Sequence, residues 1–304
     1  MENLMVKKVE LVSDGIKVSE LIQGYYRMTD WEIDRQSLLS FIKTHMDMGV
    51  TSIDHAHIYG DPACEEVFGN ALKLQPGLRK NMQLITKFGI IPGQQTQSMT
   101  GHYNSSQAST IASVDCSLKR LQTDYIDILL MHRPDLLMDA DEVSETFKTL
   151  QKQGKVRHFG VSNFSPAQFE LLQSRLDQPL VTNQIEINPV NLHSLEDGAL
   201  ELAQRLRTRP MAWSLMDGGR MYKENTDKNY RLRTVLTEVM EEIGAQSMDQ
   251  VVYTWVRKLP AKPVAIIGSG KIDRVQSAVE SLAFNMSHEQ WYRIWVASKG
   301  HGVA

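Results

Sequence analysis

The run YIDILLMH, residues 125–132, is apolar over most of one strand's length and ends on a histidine. A strand without polar alternation is buried on both faces, as in a parallel sheet covered by helices. Seven further runs of this kind lie on either side of it: SELIQG (19–24), VTSIDHA (50–56), MQLITKF (82–88), RHFGVSN (157–163), TNQIEIN (182–188), MAWSL (211–215) and VAIIGS (264–269). Amphipathic patterns such as RQSLLSFIKTHMDM (35–48), SSQASTIASVDCSLKRL (105–121) and SLEDGALELAQRLR (194–207) separate them, and these are long enough for crossover helices. Eight such units in 304 residues predict an α/β fold, a (β/α)8 TIM barrel.

Ahead of the first run, VKKVELVSDGIKVSEL carries Asp14-Gly15 between two short strand-like halves, which predicts an N-terminal β-hairpin. Helical patterns near 231–243, 247–258 and 287–298 predict extra helices late in the chain. No linker rich in Pro, Gly or Ser divides the sequence, so residues 1–304 read as a single barrel domain.

The composition is ordinary for a globular protein, 42% hydrophobic and 23% charged, with a formal net charge of -3 and no basic block. Nothing therefore points to nucleic acid or to an anionic membrane surface. The N-terminus is too charged for a signal peptide, and no apolar run reaches the length of a membrane span. Cys64 and Cys116 show no metal-ligand spacing, which suits a reducing compartment. A cytoplasmic monomer is the expectation.

In a barrel of this type the working face is built from the C-terminal ends of the strands. Asp54 lies near the end of the second run and Tyr59 in the loop after it, within SIDHAHIYG (52–60). Lys87 and His132 end the third and fourth. Taken singly, each has a plain structural reading: a solvated lysine, a loop carboxylate, a packed tyrosine, a structural histidine. Together they suit the reduction of a carbonyl. A phenol keeps its proton at neutral pH and gives it up reluctantly. Lys87 would stabilise the phenolate, Asp54 would hold Lys87, and His132 would orient the carbonyl oxygen.

Hydride must then come from a cofactor. Gly268, Ser269 and Gly270 form a turn leading into a helix with Lys271 and Arg274 in its first turn, a candidate anion site after the eighth strand. Trp213 offers a flat surface for a nicotinamide, and Ser162, Asn163 and Gln184 offer amide recognition, although core packing and loop capping account for these residues equally simply. No Rossmann fingerprint is present.

In SIDHAHIYG, LITKFG, LLMHRPD, GKVRHFGVSNF, NQIEINPV and IIGSGKIDRV, the chain resembles the aldo-keto reductase family, in its bacterial predicted-oxidoreductase branch. The resemblance runs from the hairpin to about residue 298. It implies NADPH-dependent reduction of small aldehydes or ketones by a tetrad of Asp54, Tyr59, Lys87 and His132, with Tyr59 as general acid. It also implies that Ser162, Asn163 and Gln184 hold the carboxamide, that Trp213 stacks on the nicotinamide, and that Ser269, Lys271 and Arg274 lie near a 2′-phosphate, which favours NADPH over NADH. Three departures stand out. Ser277 and Ala278 replace the acidic residue and Asn that many members present to adenine, Tyr25 and Tyr26 occupy the first loop where small or Trp side chains are frequent, and the tail after Trp295 is short. Tyr25 and Tyr26 are thus expected to line the substrate pocket.

Two rival readings remain. His55 and His57 form an HxH pair, which on one strand would share a face and could ligate zinc in a hydrolase. A barrel that binds cofactor as a sensor or accessory subunit, with slow turnover, is the other, since fold alone does not settle function.

Overall fold

The computed structural model describes residues 4–61, 63–93 and 100–304. The N-terminal hairpin is formed by β1 (Lys8–Glu10) and β2 (Lys17–Ser19), antiparallel, with Asp14 in the left-handed region at φ 55°. The chain then runs through β3 (Leu21–Gly24), α1 (Arg35–Asp47), β4 (Ser52–Asp54), α2 (Ala63–Leu72) and β5 (Gln83–Phe88). A small hairpin of β6 (Ile90–Ile91) and β7 (His102–Tyr103) precedes α3 (Gln107–Leu121), β8 (Ile126–Met131), α4 (Ala140–Lys152) and β9 (Val156–Ser162). Next come α5 (Pro166–Gln173), β10 (Asn183–Glu186), α6 (Ala199–Leu206), β11 (Met211–Trp213), α7 (Arg220–Lys223), α8 (Asp227–Ile243) and α9 (Met248–Arg257). The chain ends with β12 (Val264–Ile267), α10 (Ile272–Glu280) and α11 (His288–Lys299).

Eight of the strands close into a barrel in the order β10-β11-β12-β3-β4-β5-β8-β9, every pair parallel. All eight runs singled out in the sequence supply one of them. The strands end earlier than the apolar runs do: β4 stops at Asp54 rather than 56, and β12 at Ile267 rather than 269. What lies beyond those ends is turn and loop, and it is there that the polar residues stand. The hairpin of β6 and β7 has no signal in the sequence, since two-residue strands are too short to show a period.

The interior follows from the two-residue repeat of a strand. Ile22, Ile85, Ile128, Leu130, Met211, Val264 and Ile266 form one buried apolar cluster, and Leu11, Val12 and Val18 of the N-terminal hairpin join it. The Leu11 carbonyl accepts from the Arg209 N–H at 2.7 Å, just before β11 begins. The hairpin therefore seals the barrel's N-terminal end with apolar side chains. One pleat further along, Lys87 follows Ile85, His132 follows Leu130 and Trp213 follows Met211. The same alternation that fills the core thus delivers functional groups to the opposite rim.

Helix ends are set locally. Ser165 and Gln168 form a capping box at α5 with Pro166 at its first position, and Ser287 and Gln290 do the same at α11. Gly244 closes α8 at φ 73°, a conformation that glycine adopts without cost. Among the described residues no helix is long and apolar enough to cross a membrane.

Candidate active site

Lys87 is fully buried near the end of β5, and its ammonium has three protons to place. It donates to both Asp54 carboxylate oxygens at 2.9 and 2.8 Å, to the His55 carbonyl at 2.7 Å and to the Tyr59 hydroxyl oxygen at 3.0 Å. These partners come from the strand next to β5 and the turn that follows it, so one residue, Lys87, gathers the whole 54–59 segment. Because the ammonium occupies a lone pair of the Tyr59 oxygen, the phenol's own proton is left to be donated elsewhere. Burial alone would lower the Lys87 pKa, but Asp54 and Tyr59 outweigh it and hold it above its ordinary value. Burial lifts the Tyr59 phenol above the usual tyrosine range against the pull of Lys87, so Tyr59 stays protonated at neutral pH.

The His132 ring sits edge-on to Tyr59, with centroids 5.7 Å apart. Burial, with Lys87 and Arg133 nearby, pushes its pKa well below that of free histidine, and the ring is neutral at pH 7. Its Nδ1 is buried without a partner. The four groups expected on one rim do converge there.

The candidates for amide recognition form a chain of hydrogen bonds. Ser162 Oγ donates to the Gln184 carbonyl at 2.8 Å, Asn163 Nδ2 donates to Ser162 Oγ at 2.8 Å, and Trp213 Nε1 donates to Asn163 Oδ1 at 3.2 Å. Asn163 adopts φ 60°, a conformation that asparagine tolerates better than most residues. Gln184 is tied to the tetrad itself, its Nε2 donating to Asp54 Oδ1 at 2.8 Å.

Gly268, Ser269 and Gly270 follow β12, and Gln23 of β3 anchors this loop by donating to the Ser269 carbonyl at 3.0 Å. A Cβ on Gly270 would lie 2.3 Å from the Trp31 indole, so only glycine fits beneath that ring, whereas Gly268 faces open space. Lys271 stands at the start of α10, its N–H donating to Ser269 Oγ at 3.2 Å, while the Arg274 N–H donates to Asp273 Oδ1 at 2.9 Å; the side chains of Lys271 and Arg274 are both exposed. A positive helix end and two basic side chains form a set that fits a phosphate. With the half-buried Trp213 face and the amide chain, the residues present fit a dinucleotide.

Tyr25 and Tyr26 part company. Tyr26 is 61% exposed and meets Tyr59 edge-on, with ring centroids 4.9 Å apart, so it stands at the mouth of the site. Tyr25 does not line the substrate pocket as expected. It is fully buried, with its hydroxyl 2.8 Å from His45 Nε2 of α1 and its ring stacked on His55. The cause is that β3 ends at Gly24, and the turn sends the first tyrosine into the helical layer and the second to the rim.

The HxH pair separates for a similar reason. β4 has ended at Asp54, so His55 and His57 do not share a strand face. The His55 ring is buried between Tyr25 and Phe68, and burial lowers its pKa to about 3. The His57 ring lies against the Lys87 and Ile90 carbonyls at 2.7 and 2.8 Å. Among the described residues no group of three His, Cys, Asp or Glu side chains is arranged to hold a metal ion. Ser277 contacts Ser247 Oγ at 3.3 Å and Ala278 is buried, so neither is a free polar group on the surface of α10. Arg133, directly after His132, lies inside LLMHRPD, but nothing in that stretch marks it as a site residue beyond its place just past the end of β8.

An eight-stranded parallel barrel with this Asp, Tyr, Lys and His set at its C-terminal rim defines a class, and the chain belongs to the aldo/keto reductase family, whose model matches residues 20–298. The chain is thus an oxidoreductase of the carbonyl-reducing kind, in a family that works with nicotinamide cofactors on small-molecule carbonyl compounds. It is 50% identical over 299 residues to the oxidoreductase YdhF of Escherichia coli (strain K12), covering 98% of this chain and 100% of that protein. It is 45% identical over 300 residues to the uncharacterized oxidoreductase YcsN of Bacillus subtilis (strain 168), with 98% and 100% covered. Among solved structures, the thermostable aldo-keto reductase Tm1743 shares the fold with a TM-score of 0.80 at 24% identity, over 96% of this chain and 99% of that one.

Proposed function

We propose that the protein reduces aldehydes or ketones to alcohols with NADPH, and that Tyr59 is the proton donor. The observation that carries this reading is the Lys87 ammonium, which is buried and shared between the Asp54 carboxylate and the Tyr59 hydroxyl oxygen. Ser162, Asn163 and Gln184 would hold the nicotinamide carboxamide and Trp213 would pack against its ring, and the bound cofactor would supply hydride for the carbonyl carbon. Neutral His132 donates a hydrogen bond to the carbonyl oxygen and sets its orientation. Tyr59 passes its proton to that oxygen, and Lys87 stabilises the phenolate that remains. Asp54 keeps Lys87 in place, and Gln184 keeps Asp54 in place.

Tyr59→Phe is expected to leave NADPH binding nearly intact and to lower kcat by about 10²–10⁴-fold, the usual share of general acid catalysis. Full activity in that variant would remove Tyr59 from the mechanism. Cofactor binding without oxidation by any aldehyde in the wild type would favour the slow sensor instead. Preference for NADPH is supported by Lys271 and Arg274, neither of which has an ion-pair partner among the described residues. In parallel titrations followed by tryptophan fluorescence, Lys271→Ala and Arg274→Ala should weaken NADPH and leave NADH largely unchanged. The whole chain acts in this reading as one barrel, in the cytoplasm and as a monomer, which size-exclusion chromatography with light scattering checks.

A further inference from the structure

We propose that Arg133 is a specificity-determining residue that selects carbonyl substrates carrying a carboxylate or phosphate a short spacer away from the carbonyl. The inference rests on the reductase reading above and names its substrate class.

Arg133 follows His132 directly at the end of β8, and its guanidinium leans across the mouth towards β11, with Cζ 5.6 Å from the Trp213 ring centroid. The barrel order places β9 and β10 between those two strands, so the side chain spans part of the opening rather than lying along its own loop. The field of Arg133 reaches both Tyr59 and His132, lowering the pKa of each in support of burial or against it. Any carbonyl oxygen placed between those two groups therefore lies close to this cation.

Arg133 has no anion beside it. Arg79 lies 2.8 Å from Asp127, Arg257 3.4 Å from Glu20, and Lys87 2.8 Å from Asp54, while the partly buried Lys228, Arg231 and Arg233 lack a carboxylate but donate to backbone carbonyls. Among the described residues no carboxylate lies within ion-pairing distance of Arg133. Lys87 and Asp54 cancel one another, so the mouth keeps the charge of Arg133 uncompensated. A partly desolvated guanidinium without an anion is costly, and its planar fork matches the two oxygens of a carboxylate or phosphate. Stacking on Trp213 alone recovers only part of that cost. The basic side chains of α10 serve a different place, at the end of β12, and they leave Arg133 to the substrate.

The test measures kcat/KM at saturating NADPH for substrate pairs in which an anionic group is masked, replaced or removed: 4-carboxybenzaldehyde against methyl 4-formylbenzoate, succinic semialdehyde against butanal, and glyceraldehyde 3-phosphate against glyceraldehyde. The wild type should favour the anionic member of a pair by about tenfold or more, the scale of a charge-assisted hydrogen bond. Arg133→Gln should cut that ratio by about tenfold, Arg133→Lys should restore part of it, and KM for the anionic member should rise with ionic strength. The ratio is the readout because it cancels any general effect of the lost charge on Tyr59. A shift in the carboxylate pairs alone, or in the phosphate pair alone, assigns the anion. An unchanged ratio in Arg133→Gln, or a wild type that prefers the neutral member of every pair, overturns the proposal. If no aldehyde is reduced and no NADPH is bound, the reductase reading is what fails. Calorimetric titration with benzoate then decides separately: binding lost in Arg133→Gln supports the anion site, and equal or absent binding in both proteins overturns it.

Discussion

At Lys87, charge balance and hydrogen-bond count answer the same question. Removing it as Lys87→Met leaves Asp54 buried and without its counter-charge, which costs about 3–5 kcal/mol when one partner of a buried pair is lost. Asp54→Asn leaves the opposite imbalance. The double variant removes both charges and is expected to be more stable than the two single losses would sum to, while still inactive; urea unfolding of the three variants measures this coupling. Because Tyr59 is held above and His132 below its ordinary pKa, turnover of a neutral aldehyde should show no inflection near pH 6.5 and should decline only on the alkaline side. At this scale the sequence was legible where a residue continues the alternation of a long strand, as Lys87 does within β5 and His132 directly after β8. It was not legible in the turns after the short strands β3 and β4. Tyr25 and Tyr26 are chemically identical neighbours, and only the turn after Gly24 decides which enters the core. His55 and His57 are split in the same way after Asp54.

Among the elements, the barrel strands were readable because an all-apolar run bounded by polar turns suits a strand covered on both faces and little else of that length. Their ends were not, because nothing in HA (55–56) or GS (268–269) marks the point where pairing has stopped. Helix contacts were also hidden. A Cβ on Gly69 of α2 would lie 2.1 Å from the Arg120 carbonyl oxygen near the end of α3, so the two helices touch backbone to backbone there. Alanine is intrinsically the better helix former by about 1 kcal/mol. Gly69→Ala is nonetheless expected to lower the Tm, because α2 must move off α3, and a rise in Tm would show that the helices yield more easily than their packing indicates. Such a glycine looks like an ordinary helix weakener in the sequence, and only the crossing gives its reason.

The molecule as a whole holds histidines that its interior keeps neutral. Tyr25 donates to His45 Nε2 while His45 Nδ1 donates to the Val50 carbonyl, and burial lowers the pKa of His45 to about 4 and that of His55 to about 3. An unfolded chain takes up these protons near pH 6.5, so the stability they confer is complete above that pH and is lost as the pH falls towards 4 and then 3. The loss per group approaches about 1.4 kcal/mol for each pH unit below 6.5, until the folded form protonates as well. Melting temperatures at pH 7.5, 6 and 5 should fall in that order, and His45→Gln should flatten the slope. The hairpin of β1 and β2 acts on the same scale, because its Leu11, Val12 and Val18 close the far end of the barrel. With that end sealed and the interior filled by side chains, the two ends of the strands divide the labour: one holds the fold together, and the other is left to carry the groups that face a ligand.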